Sequence, residues 1–120
     1  MAKTEMSDPI QAEQITTCEQ YGALYTPAPL DSKVGFALQT QDHAPINGLR
    51  HSPEGDTNGW YIWGGKELST DPDFFSPLHT QHLLNRRPEV VKYLGLPPGY
   101  RFLIAGDYVD VWFDPALLNV

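Results

Sequence analysis

Large apolar side chains occupy every second position in two successive runs near the end of the chain, YRFLIA at 100–105 and YVDVWF at 108–113. A period of two is typical of β-strands, whose side chains point alternately to the two faces of a sheet. Gly106 and Asp107 separate the two runs and suit a tight turn. The pattern therefore predicts a β-hairpin over residues 100–114 with these two residues at its tip.

A second strand is predicted for WYIWGG, residues 60–65, which is the most aromatic stretch of the chain. Alternation places Trp60 and Ile62 on one face of this strand. Tyr61 and Trp63 then point to the other face. Burial of a tryptophan contributes about 2–3 kcal/mol, so we expect one pair to lie in the core. The other pair is expected to be partly exposed or covered by a loop.

The remaining extended segments have weaker signals. KVGFALQT at 33–40 alternates and predicts a strand, and LRH at 49–51 predicts a short one. Asn47 and Gly48 between them form a dipeptide that is typical of hairpin turns, so we place a turn there. Prolines interrupt KELSTDPDFFSPLH at 66–79, which is therefore interpreted as a loop with a short extended piece.

Helices are predicted for residues 7–23, for 80–96 as one or two short helices, and for a last turn at 114–120. The chain of 120 residues is the length of one domain, so we expect a single domain over 1–120, with 1–7 as a flexible tail. The predicted fold class is α+β, with an antiparallel or mixed sheet of four to five strands and helices packed mainly on one face.

Charge narrows the choice of partners. Eight Lys/Arg against 15 Asp/Glu give a net charge of −7 and a pI near 4.8. Nucleic acids and anionic membrane surfaces attract positive patches, so neither is expected as a partner. The balance is compatible with a basic protein partner, and also with solubility alone. The first residues lack the apolar core of a signal peptide, and no run reaches the ~18 apolar residues of a membrane span. We therefore expect a cytoplasmic protein.

Candidate catalytic and metal-binding groups are sparse. His79 and His82 are three residues apart and would share a helix face, where His51, Asp71 and Asp73 could add ligands. This spacing is common by chance, so the favoured interpretation of both histidines is that of ordinary polar or capping residues of a helix. The single cysteine, Cys18, is interpreted as a small buried hydrophobe. We therefore predict no catalytic residues, no metal site and no cofactor.

Acidic residues flank the aromatic strand and run along the last hairpin. Most stand next to Pro or Gly, where Asp and Glu usually form turns and caps. Arg50 is expected to pair with Glu54 or Asp56 and so to organise a loop. The functional alternative is an acidic face for a basic partner, made by the following residues: Glu54, Asp56, Asp71, Asp73, Asp107, Asp110 and Asp114.

Five segments in this order and spacing resemble one bacterial family, the immunity protein thirty-three family. The segments are PINGLRH at 45–51, EGDTNGWYIWGG at 54–65, DPDFFSPLHTQHL at 71–83, PEVVKYLGLPPGYRFL at 88–103 and YVDVWFD at 108–114. The resemblance covers roughly residues 15 to 115. It implies a cytoplasmic protein that binds the toxin of a polymorphic or contact-delivered toxin system and blocks it.

The family transfers no catalytic residues and no set of toxin contacts, so the interface is predicted from physical reasoning. Aromatic side chains dominate the energetics of interfaces, while charges at the rim steer association. We therefore predict an aromatic anchor surrounded by carboxylates, from the following residues: Glu54, Asp56, Trp60, Trp63, Asp71, Asp73 and Phe74. The partner would be a cognate protein toxin, such as a basic nuclease domain whose phosphate-binding cleft the acidic face could fill.

Two other functions remain open from the sequence. One is a small metal-dependent enzyme that uses His79, His82 and nearby carboxylates. The other is a non-catalytic regulatory binding module. Metal analysis would test the first, and the identity of the neighbouring genes would separate the second from an immunity protein.

Overall fold

The computed structural model describes residues 7–69 and 71–119, and the side chains of Pro9 onward within the first helix. The flexible tail predicted for residues 1–7 lies outside the described residues except for Ser7, where the first helix begins.

One mixed six-stranded sheet forms the centre of the fold. The strands are β1 Lys33–Phe36, β2 Ile46–Arg50, β3 Thr57–Gly64, β4 Ser76–His79, β5 Tyr100–Ala105 and β6 Tyr108–Phe113. Their order in the sheet is β4-β1-β3-β2-β5-β6. Strands β1 and β3 are parallel, and all other neighbours are antiparallel. The α+β class is confirmed, the strand count of four to five is too low, and the predicted hairpin is confirmed as β5 and β6.

Strand β4 is the short extended piece predicted within residues 66–79, and Pro77 stands inside it. Proline lacks the backbone N–H that a central strand must donate on one side, so it is tolerated in sheets mainly at an edge. Strand β4 is such an edge strand, and Pro77 lies opposite Gly35 of β1. Pro77 therefore lies at the edge of the sheet, after the loop residues 65–69 and 71–75.

Gly48 lies inside β2 and not in a turn, so the predicted hairpin at Asn47 and Gly48 is wrong. Its register partners are Ile62 of β3 and Phe102 of β5. A Cβ atom at Gly48 would overlap the Phe102 ring. The glycine is thus needed for close approach of an aromatic ring to the backbone, which is a second reason for glycine in a strand.

Replacing Gly48 with alanine is expected to lower the free energy of unfolding by about 1–3 kcal/mol, the usual cost of overpacking a core. Urea denaturation of the variant and the wild type measures the difference. Leucine at position 102 removes the ring that the new methyl group meets, so Gly48→Ala should cost less in a Phe102→Leu background. Additive effects of the two substitutions would show that this overlap does not set the cost.

The two faces of the sheet carry separate apolar cores. The helices are α1 Ser7–Gln20 and α2 Leu83–Arg86, and 3₁₀ turns span Leu38–Thr40, Thr80–His82, Pro88–Tyr93 and Pro115–Asn119. The first face, which bears Trp60 and Ile62, packs against Cys18 of α1 and Leu83 of α2. The turn Pro88–Tyr93 adds Val90, Val91 and Tyr93 to the first core. Most helical structure therefore lies on the first face.

The second face, which bears Tyr61 and Trp63, is covered by other parts of the chain. Leu117 from the last 3₁₀ turn packs there with Trp63, and Phe74 and Phe75 cover it from the segment before β4. The alternation predicted for Trp60 to Trp63 is confirmed, and a loop covers the second pair.

Arg50 is a fully buried cation at the end of β2. Its Nε donates to the carbonyl of Asn58 at 2.9 Å. Its Nη1 donates to the carbonyls of Thr26 at 2.7 Å and Leu96 at 2.8 Å, and its Cζ lies 5.7 Å from the centre of the Trp60 ring. Burial lowers the pKa of Arg50 to about 10, so the guanidinium is still charged at neutral pH. Arg50 therefore ties three segments of the chain to the first core.

Candidate partner-binding surface

Neither tryptophan of the central strand lies on the surface. Trp60 is 0% exposed, and its Nε1 donates to the carbonyl of Leu94 at 3.0 Å. Trp63 is 4% exposed and meets the edge of the Phe75 ring at 6.1 Å between ring centres. The prediction that Trp60 or Trp63 anchors a partner is therefore corrected, because a partner could reach these rings only by opening a core.

The segment DPDFF forms a turn. The Oδ1 atom of Asp71 accepts from the backbone N–H of Asp73 at 3.0 Å, and the carbonyl of Asp71 accepts from the N–H of Phe74 at 3.0 Å. Both carboxylates are exposed. Phe74 is half-buried and packs edge-on against Phe75, with ring centres 4.9 Å apart. Of the predicted aromatic residues, only Phe74 keeps part of its side chain accessible.

Glu54 and Asp56 lie two residues apart but differ in their contacts. Asp56 forms an ion pair with Lys33 at 3.0 Å. This hydrogen bond from the ammonium, with its charge, lowers the pKa of the Asp56 carboxyl. Glu54 is exposed and forms no ion pair with any described residue. The pairing predicted for Arg50 with one of these two acids is wrong, since Arg50 binds backbone carbonyls instead.

The last hairpin leaves an open patch on the second face of the sheet. Tyr108 is 60% exposed and Trp112 is 37% exposed. Asp110 lies between them on the same face, because residues two apart on a strand point the same way. The strand β5 contributes the register partners of these three residues. We call this patch the hairpin face, and its members are Arg101, Leu103, Ala105, Tyr108, Asp110 and Trp112.

Two interactions hold Trp112 in place within the hairpin face. The guanidinium of Arg101 lies over its ring, with Cζ 5.5 Å from the ring centre. Arg101 Nη1 also binds Asp114 Oδ2 at 3.2 Å, and Asp114 Oδ1 accepts from the N–H of Ala116 at 3.1 Å. A ring that is already oriented loses little conformational freedom on binding, and Trp, Tyr and Arg are enriched among interface hot spots.

The sequence also contained the pattern of this patch, although the prediction from sequence placed the aromatic anchor at Trp60, Trp63 and Phe74. Tyr108, Asp110 and Trp112 alternate with valines in a strand near the end of the chain. The valines are the core-facing set, and Val109 and Val111 do pack against the first core. Tyr108, Asp110 and Trp112 point to the other face of the sheet. They stay exposed there because β6 is an edge strand and the last 3₁₀ turn packs over the centre of the sheet.

Groups with catalytic potential are not brought together. The rings of His79 and His82 lie 6.2 Å apart, and both residues are exposed. Within residues 7–69 and 71–119, no three His, Cys, Asp or Glu side chains gather as a metal site would require. Cys18 is buried, and this burial raises the pKa of its thiol, which disfavours the reactive thiolate.

Among the described helices, none combines the length and the hydropathy that a bilayer crossing demands.

Comparison with known proteins adds one match. No curated protein and no solved structure matches the chain. The model of the Imm33-like domain family matches residues 13–114, which include the whole sheet and most of α1. This chain therefore belongs to the Imm33-like family.

Proposed function

We propose that this protein is an immunity protein, which binds a cognate bacterial toxin in the cytoplasm and neutralises it by one-to-one occlusion. The match of the Imm33-like family model to residues 13–114 carries the proposal. The partner is accordingly a protein, and neither nucleic acid nor a membrane is the target.

The hairpin face is the surface that best suits such a partner. It combines two exposed aromatic rings with a half-buried leucine, Leu103, on a strand pair that belongs to the central sheet. Aromatic side chains on a rigid element provide large contact areas at low entropic cost. Tyr108 and Trp112 therefore take the anchoring role that was first given to the buried tryptophans.

The negative charge of the hairpin and of the chain indicates the kind of toxin that would bind. Asp107 and Asp110 form no ion pair with any described Lys or Arg, and the chain as a whole carries −7. Unpaired carboxylates beside aromatic anchors favour a basic surface, because opposite potentials speed the encounter and fix its orientation. A toxin with a basic cleft, such as a nuclease domain, fits this description.

Purification with the toxin encoded beside its gene tests the proposal. We expect a one-to-one complex by size-exclusion chromatography with light scattering, loss of toxin activity on titration, and an association rate that falls as salt rises. An unrelated acidic protein of similar charge serves as the control. The absence of a complex at moderate salt, with the toxin still active, would contradict the proposal.

A further inference from the structure

A pocket of about 420 Å³ opens where β2 ends and β3 begins. Its wall includes His51, Glu54, Tyr61, Leu117 and Leu118, and we call it the His51 pocket. The volume lies in the range of small-ligand sites and is large enough for one long side chain. Of the candidate residues singled out in the sequence, Glu54 and His51 line this pocket.

A tight turn holds Glu54 at the rim of the pocket. The backbones of Glu54 and Thr57 exchange hydrogen bonds of 3.3 and 3.1 Å, and the Thr57 hydroxyl donates to the Glu54 carbonyl at 2.8 Å. Gly55 has a φ of +64°, a conformation that glycine adopts without strain. Glu54 is the only Asp or Glu among the described residues lining the pocket, and no Lys or Arg lines it. The pocket therefore attracts cations.

His51 presents an acceptor rather than a donor. Its Nδ1 lies 2.9 Å from the carbonyl oxygen of Leu117, which can only accept, so Nδ1 carries the hydrogen. In the neutral imidazole, Nε2 then holds a free lone pair. Tyr61 packs edge-on against His51, with ring centres 5.5 Å apart, and Phe75 holds Tyr61 from another side at 5.1 Å. The rings of His51 and Tyr61 are thus held in place before any ligand arrives.

We propose that the His51 pocket receives an arginine side chain of the toxin. The guanidinium pairs with the Glu54 carboxylate, donates to His51 Nε2 and contacts the Tyr61 ring, while Leu117 and Leu118 contact its methylene groups. Arginine fits better than lysine because its flat group with five N–H donors serves a carboxylate, a ring nitrogen and an aromatic face together. Phosphates and carboxylates are repelled by Glu54.

The pocket and the hairpin face belong to one surface. One row of the sheet runs through Tyr61, Leu49, Arg101 and Trp112, which are successive register partners. Three inter-strand spacings separate Tyr61 from Trp112, or about 14 Å. A standard interface of about 800 Å² per partner extends some 30 Å and covers both. The proposal rests on the proposed function for the identity of the partner, but not for the chemistry of the pocket.

A titration without the toxin tests the pocket directly. The probes are Nα-acetyl-arginine methylamide and its citrulline analogue, which keeps the shape and lacks the charge. We expect saturable NMR shifts at His51, Glu54 and Thr57 with the arginine probe, and at least about tenfold weaker binding of the citrulline probe. Glu54→Gln should weaken arginine binding by about tenfold. Glu19→Gln removes the same charge from an exposed position on α1 and should have no effect.

Two results would overturn the proposal: equal binding of both probes, or arginine binding that survives Glu54→Gln. A second measurement uses the toxin, where Glu54→Gln should weaken the complex by about tenfold and Glu19→Gln should not. If no toxin binds while the arginine probe does, the proposed function fails and the pocket stands. If the toxin binds Glu54→Gln as tightly as wild type, the pocket assignment fails and the proposed function stands.

Discussion

Replacing Arg50 with methionine is expected to lower the free energy of unfolding by about 2–4 kcal/mol. Methionine fills much of the same volume but donates no hydrogen bond. The carbonyls of Asn58, Thr26 and Leu96 each lose a charged donor. A buried carbonyl left without a partner costs about 1–3 kcal/mol.

Methionine avoids the cost of burying the Arg50 guanidinium, and this reduces the expected loss of stability. Burial lowers the pKa of Arg50 to about 10, which corresponds to a desolvation cost of about 3 kcal/mol that methionine does not incur. This gain offsets the loss of the three hydrogen bonds only in part, so stability still falls, but by less than the sum of the three losses. Thermal and urea unfolding at neutral pH measure it.

Two further variants separate hydrogen bonding from charge. Arg50→Lys keeps the buried charge but loses the planar group that reaches three carbonyls, so we expect it to be at least as destabilising as methionine. Arg86→Met makes the same chemical change at an exposed position and should alter stability by less than about 0.5 kcal/mol. A methionine variant as stable as wild type would mean that the three carbonyls do not depend on Arg50.

Arg50 also shows which kind of contact could not be predicted from the sequence. The signals that succeeded were local: the period of two over residues 100–113, and the alternation through the aromatic strand. The acceptors of Arg50 lie 8, 24 and 46 residues away, and all three are backbone carbonyls, which carry no sequence signature. Nearby acids were the visible alternative, and the structure uses one of them, Asp56, for Lys33 instead.

The turn wrongly predicted at Gly48, and the edge position of Pro77, which was not predicted, have a different cause. Both residues were recognised as special, but each has more than one structural use. Glycine serves turns and also close packing against a ring, and proline serves loops and also edge strands. The choice depends on what lies across the sheet, here Phe102 for Gly48 and an open edge for Pro77. That information comes from strand order, which local patterns do not define.

The site proposed from the structure has the composition expected from the sequence, but it lies at other residues. An aromatic anchor with carboxylates around it was expected, and the hairpin face has that composition. Trp60 and Trp63 were favoured because they form the densest aromatic stretch, yet density of aromatic residues is equally a mark of the core. Exposure at Tyr108 and Trp112 follows from β6 being the edge strand and from the position of the last 3₁₀ turn, both of which are tertiary features.

Tyr108→Ser combined with Trp112→Ser is expected to weaken toxin binding by at least about 100-fold, because truncating two anchors costs roughly 2 kcal/mol or more each in a typical hot spot. Loss of contact area should appear mainly as faster dissociation. Surface plasmon resonance with immobilised toxin separates the two rate constants. Protection of growing cells against the toxin should fall in parallel.

Effects on stability must be separated from effects on binding in this experiment, because Trp112 stacks on Arg101 within the folded protein. Tyr108→Ser alone touches the most exposed ring of the patch and should leave unfolding almost unchanged while weakening binding. Leu24→Ser with Leu38→Ser removes two exposed apolar side chains elsewhere and should leave binding intact. If this control pair weakens the complex as much as the hairpin pair, the toxin is bound by another surface, and the hairpin face is exposed for some other reason.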